Sequence, residues 1–344
     1  METLWFWLVA IMIVAYVVLD GYDLGAGIVH LFVARTDDER REVIQSIGPF
    51  WDGNEVWLLA SGGTLYFAFP ALYAASFSGF YLPLMMVLWL LMLRGVSIEF
   101  RSHVESLVWR PLWDVVFGYS SALLAIFFGA ALGNVVRGVP LDASGFFFLP
   151  LWTNFTVSGE LGILDWYTVS VGLVAFATLT LHGALWVALK ATGLLEERAR
   201  RLSTRAWWVT WALVVVITIL SFRIQPLLAR SFAERPWGYV LPAVAIAALA
   251  AIRFWIGPAN GARAFLASSV FIAAMLSSAA FGLYPYVLPA QADSKLGLTI
   301  YNAAAGGYGL RIGLGWWIPG IALAAGYFVF TYRRFAGKVR LHEQ

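Results

Sequence analysis

The sequence predicts an all-α, polytopic membrane protein of about nine transmembrane helices, with its N-terminus outside and its C-terminus cytoplasmic. Three observations lead there. Of 344 residues, 61% are hydrophobic and only 12% charged, against about 25% charged in a soluble domain. So large an apolar excess cannot be hidden in one water-soluble core of this length, because folded surfaces need polar cover. The apolar residues also fall into runs of the roughly 20 that a bilayer-crossing helix requires. Finally, Lys and Arg are shared unevenly between alternate loops, which sets orientation.

The runs lie at 4–33, 51–72, 76–98, 113–133, 163–189, 206–222, 237–256, 263–284 and 312–332. The first, as one helix, would reach about 45 Å, more than the hydrocarbon thickness. It therefore tilts or extends past the membrane, and its last third holds Asp20, Asp23 and His30. It lacks the basic start and small-residue cleavage site of a signal peptide and reads as a retained helix. With the N-terminus outside, the inner loops collect 17 Lys and Arg and the outer loops 6. The basic stretch from Arg333 to Arg340 reads as a stop-transfer anchor. A pI of 9.1 thus reflects cytoplasmic loops facing anionic lipid, and needs no nucleic acid. With no cysteine, disulfides, thiolate catalysis and iron–sulfur clusters are excluded. Many of the 17 Trp sit near helix ends, as interfacial anchors do. The outer loop 134–162, rich in Gly, Pro and aromatics, is a candidate interaction surface. No short internal repeat is present, and residues 1–344 read as a single transmembrane domain.

The stretch from Asp20 to Pro70 carries the chemistry. Leu19-Asp20-Gly21-Tyr22-Asp23-Leu24-Gly25-Ala26-Gly27 puts two acids three residues apart, on one helix face. The small residues at 21, 25 and 27 let another backbone come close. In Ile47-Gly48-Pro49-Phe50-Trp51-Asp52-Gly53-Asn54-Glu55-Val56-Trp57, Pro49 suits a first helical turn, and Asp52 and Glu55 sit where the helix dipole favours anions. The topology brings Asp20, Asp23, Asp52 and Glu55 to similar depth on the cytoplasmic side. Intramembrane acids cost several kcal/mol when unpaired and read as functional by default, most simply in proton handling. Arg94 is the expected countercharge. In the structural alternative Asp20 merely pairs with Arg94, Glu55 caps a helix end and Arg94 snorkels to the interface. A metal bound by carboxylates alone ranks lower, since hard oxygen sites usually show tighter ligand patterns.

Of four histidines, His342 lies in the tail, His103 in a charged loop, and His182 near the inner end of a helix. Haem needs axial His or Met at membrane depth, so this chain is expected to bind no haem alone. There is no P-loop, Gly-rich dinucleotide fingerprint or Ser/His/Asp arrangement.

At these residues the chain resembles subunit II of cytochrome bd-type quinol oxidases. The likeness rests on residues 19–27, on Asp37-Asp38-Glu39-Arg40-Arg41 and on residues 47–58. It continues through Phe69-Pro70-Ala71-Leu72-Tyr73-Ala74 and Ser97-Ile98-Glu99-Phe100-Arg101, and reappears around Gly183-Ala184, Lys190–Gly193 and Phe281–Pro289. The resemblance implies two four-helix bundles plus one peripheral helix, and an obligate partner, subunit I, carrying two haems b, one haem d and the quinol site. It implies a respiratory complex of a bacterial or archaeal cell membrane that oxidises quinol and reduces O2 to water. This chain would support assembly of the haem centres. It also implies a proton route along the subunit contact, in which Asp52 ranks first and Asp23 second. Asp20, Glu55 and Arg94 would support it, and Trp51 would wall it or contact a bound quinone. A small single-helix accessory subunit is compatible with it. Two other readings compete: a proton-coupled secondary transporter, which would show interrupted helices in two related halves, and a purely structural assembly partner with idle acids.

Overall fold

The computed structural model describes residues 1–291 and 293–339, so Arg340 and His342 lie outside the described residues. The described residues form twelve α-helices: α1 (Glu2–Val33), α2 (Asp37–Ile47), α3 (Trp51–Ala68), α4 (Pro70–Gly79), α5 (Tyr81–Phe100), α6 (Trp109–Arg137), α7 (Trp166–Lys190), α8 (Gly193–Ile224), α9 (Pro226–Glu234), α10 (Val240–Trp255), α11 (Gly261–Leu283) and α12 (Gly307–Arg334). Among the described residues, eight helices are long and apolar enough to cross a membrane. α3, with 18 residues, is the ninth long helix. Asp52, Asn54 and Glu55 near its start lower its hydropathy. The first apolar run is one continuous helix of 32 residues.

Several boundaries differ from the hydropathy reading for local reasons. The run 51–72 stops at Ala68 because Pro70 disfavours helical geometry at the residue before it. Phe69 accordingly sits at φ −134°, ψ 66°. The 70–79 segment is then a separate short helix. Pro49 does not open a helix as expected; it lies in the turn between α2 and α3. α8 begins 13 residues before the apolar run starts at 206. Its polar first turns are held by Glu196–Arg200 and Glu197–Arg201 pairs at i,i+4. The 286–299 segment forms a small antiparallel hairpin, β1 (Tyr286–Leu288) with β2 (Leu298–Thr299), inside an otherwise helical chain.

The long helices pack as two groups of four. In one, α1 packs on α3 and α6, and α5 packs on α6; Trp51 of α3 closes the ring against Gly95 of α5. In the other, α7, α8, α10 and α11 surround a shared core that includes Trp207, Leu249, Ile252 and Phe271. The groups meet where α7 lies against α1 and α6. α12 lies outside both, its most apolar stretch unburied.

The α1–α7 contact explains the small residues of α1. A Cβ on Gly25 would sit 2.6 Å from Gly183 Cα, and one on Gly183 would overlap the Gly25 backbone. Only glycine at both positions lets the axes come this close. Gly25→Ala is expected to force the helices apart at about 1–3 kcal/mol, lowering the thermal midpoint of the detergent-purified protein. Gly63→Ala, where the added methyl meets nothing within 4 Å, should leave it unchanged.

Candidate functional site

One end of the bundle, where α1 finishes and α3 starts, gathers most of the Lys and Arg, and the acids lie just inside it. Asp20 and Arg94 are both fully buried. Arg94 Nη1 donates to Asp20 Oδ2 at 2.9 Å and Nη2 donates to Asp20 Oδ1. The planar fork matches the carboxylate in a bidentate pair. Glu55 of α3, half-buried, is 3.9 Å from the same guanidinium. Asp23, fully buried on the same face of α1 as Asp20, accepts from Asn54 Nδ2 at 2.7 Å. Asp20 and Glu55 therefore share one guanidinium between α1, α3 and α5, with Asp23 beside them on α1.

Asp52 stands apart from this group. At 100° per residue it lies about 200° around α3 from Asn54, which faces α1. Gly53 faces α12, and Trp51 and Glu55 face α5. Asp52 is left exposed, at the start of an outward stripe continued by Val56, Leu59 and Tyr66. The expected four-acid cluster is thus three acids inside and one outside, joined by a single turn of α3. Trp51 packs on Gly95. It does not line the apolar cleft of about 590 Å³ between α1, α3 and α12, which Trp5, Met12, Trp57, Phe67 and Phe328 help to form.

Two features escaped the sequence reading. Asn54 is a hub: its Nδ2 also lies 2.8 Å from the Tyr22 hydroxyl and 3.2 Å from Leu19 O. Tyr22 in turn meets the Tyr332 hydroxyl of α12 at 2.6 Å. The second is an ion-pair network at the basic end. Asp114 accepts from His30 Nε2 at 2.9 Å, Arg101 Nε at 2.5 Å and Arg40 Nη1 at 2.8 Å. Arg101 and Arg110 also donate to Asp37. It ties α1, α2, α5 and α6 together. An acid in the first turns of an otherwise apolar span was the available signal for Asp114.

α2 is docked by its own carboxylates. Thr36 and Glu39 form a capping box. Burial opposes ionisation of Glu39, but the Arg35 and Thr36 N–H groups and Arg198 outweigh it and hold the carboxyl below its ordinary value. Burial pushes the Glu42 carboxyl up, against the Thr192 N–H that it accepts at 2.9 Å.

His182 is packed rather than poised. Its Nε2 donates to Val18 O at 3.0 Å, its Nδ1 meets the Ser268 hydroxyl at 2.6 Å, and the ring stacks on Phe265. His30 has Nε2 committed to Asp114. Its Nδ1 is buried with no hydrogen-bond partner among the described residues. Among the described residues no group of three or more His, Asp or Glu could hold a metal ion.

Comparison with known proteins places this architecture. Residues 1–335 match the family described as cytochrome bd terminal oxidase subunit II. The cytochrome bd ubiquinol oxidase subunit 2 of Bacillus subtilis is 32% identical, with 91% of this chain and 89% of that protein covered. The cytochrome bd-I ubiquinol oxidase subunit 2 of Escherichia coli is 30% identical, covering 88% and 85%. The solved bd oxidase from Geobacillus thermodenitrificans shares the fold, with a TM-score of 0.76 at 18% identity and coverage of 97% and 98%. The chain therefore belongs to the cytochrome bd terminal oxidase subunit II family, as a multi-pass membrane protein.

Proposed function

We propose that this chain is the non-haem member of a quinol:oxygen oxidoreductase in a bacterial or archaeal cytoplasmic membrane. It stabilises the haems of a haem-bearing subunit I and contributes Asp52 and Asp23 to a proton uptake route. The basic end is the cytoplasmic side, by the unequal sharing of Lys and Arg.

The observation that carries this reading is the placement of Asp52. It is an exposed acid at the head of an otherwise apolar stripe, within a turn of Glu55, which shares one guanidinium with the buried Asp20. A carboxylate turned toward hydrocarbon is costly, so this face suits a partner chain that covers it and leaves a polar seam. Reducing one dioxygen to two waters takes four electrons and four protons. Quinol supplies the electrons, and acids along the seam can supply protons from the basic end. Asp20, Glu55 and Arg94 set the charge around that seam. The apolar cleft beside α12 suits the isoprenoid chain of a quinone.

Affinity purification through a tag on this chain tests the assignment. A second, haem-bearing chain should copurify, with absorption of haems b and d and quinol-dependent oxygen uptake. A colourless protein lacking that chain would refute it.

A further inference from the structure

Within the buried group, two acceptor atoms have no hydrogen-bond partner among the described residues: Asp23 Oδ1 and Asn54 Oδ1. Both side chains are fully buried, and an unmet buried acceptor costs roughly 1–3 kcal/mol. The two residues are already joined by one bond, Asn54 Nδ2 to Asp23 Oδ2 at 2.7 Å. Nδ2 has two hydrogens for three acceptors within 3.2 Å, namely Asp23 Oδ2, the Tyr22 hydroxyl and Leu19 O. Leu19 O, which can only accept, favours the nitrogen over the oxygen on this side. Two acceptors cannot bond each other, so a single hydrogen shared between them would answer both vacancies. A proton on Asp23 Oδ1 can be donated to Asn54 Oδ1, giving two antiparallel bonds, N–H to carboxyl oxygen and O–H to amide oxygen.

We infer that Asp23 and Asn54 form a carboxylic acid–carboxamide pair that holds one exchangeable proton. Asn54 is then a positioning residue. It holds the acid in line and accepts its proton, and it does not itself change protonation. The cation beside the pair, Arg94, is committed to Asp20 through its two terminal nitrogens, Nη1 and Nη2, while its Nε has no partner among the described residues, and Glu55 is the other acid facing it. On the opposite side, Tyr22 and Tyr332 give the pair two hydroxyls in series toward the basic end of α12. Release of the proton leaves Asp23 as a carboxylate that keeps the Asn54 N–H bond and loses the O–H bond. The pair thus has two defined states that differ by one proton.

The inference deepens the proton-route reading and rests on it for its purpose, but not for its test. Infrared difference spectra of the intact complex, poised at two pH values in H2O and in D2O, report the acid directly. A protonated-carboxyl C=O band that shifts in D2O and is lost in Asp23→Asn is expected. In Asn54→Leu the band should move to higher frequency, because the acid loses its acceptor; in Asn54→Gln, which keeps an amide, it should stay nearer its original place. Asp23→Asn should also assemble normally, since an amide–amide pair restores both bonds, whereas Asp23→Leu should not. No band removed by Asp23→Asn, or a band indifferent to Asn54→Leu, would overturn the pair. If Asn54→Leu does not assemble, the comparison of wild type with Asp23→Asn still decides. A pair confirmed spectroscopically in a complex whose turnover is unaffected by Asp23→Asn would sink the proton route and leave the pair standing.

Discussion

Arg94→Met is expected to abolish recovery of the folded complex. The substitution leaves Asp20, fully buried, without the guanidinium that clasps both of its oxygens. Breaking a buried pair from one side leaves an uncompensated charge and costs about 3–5 kcal/mol, a large share of a stability margin of roughly 5–15 kcal/mol. Asp20→Leu alone should be nearly as damaging, because it strands the cation. The double variant Asp20→Leu/Arg94→Met should recover much of the yield, since a buried ion pair replaced by packed apolar groups of similar volume is often neutral or stabilising. Yield and thermal midpoint of the purified complex measure this. If both single variants assemble normally, the pair does not hold the bundle. A recovered double variant also allows a second question. If Arg94 tunes the neighbouring acids, the rescued complex should still turn over more slowly than the wild type.

Asp52→Asn is expected to act in the opposite manner, leaving assembly intact and slowing turnover. Asp52 is exposed and makes no hydrogen bond or ion pair among the described residues, so no folding contact is lost. As a donor and acceptor of protons it has no substitute on the outer face of α3 within reach of Glu55. Losing a positioned proton-transfer group typically slows a step about 10²–10⁴-fold. Quinol-dependent oxygen consumption at unchanged haem content should fall to the extent that this step limits turnover. Because the step delivers protons, lowering the pH should partly restore the rate in the variant. An unchanged rate with normal haem spectra would make Asp52 a bystander.

Much of this was legible in the sequence because the bilayer imposes simple rules. Eight apolar spans among the described residues follow from hydropathy, a close helix contact from Gly25 and its neighbours, and the Asp20–Arg94 pair from the cost of burying charge. What the rules missed has physical causes. Asn54 carries no charge, so it gives no desolvation signal, yet it organises Asp23, Tyr22 and Leu19. Tyr332 is 310 residues from Tyr22, and no local pattern announces that meeting. The separation of Asp52 from Asp20 and Asp23 depends on the rotation of α3 about its axis. That rotation is set by Gly53 against α12 and Trp51 against Gly95, contacts that spacing alone cannot supply. The early start of α8 was hidden because its first turns are charged.

Proton uptake during an oxygen pulse, followed with a dye on the basic-end side of vesicle-reconstituted complex, tests the central claim most directly. With Asp52→Asn and with Asp23→Asn, at wild-type haem content, uptake from that side should be slowed in parallel with oxygen consumption. Uptake as fast as in the wild type in both variants would mean that the protons reach the oxygen chemistry by a path that does not pass through this chain.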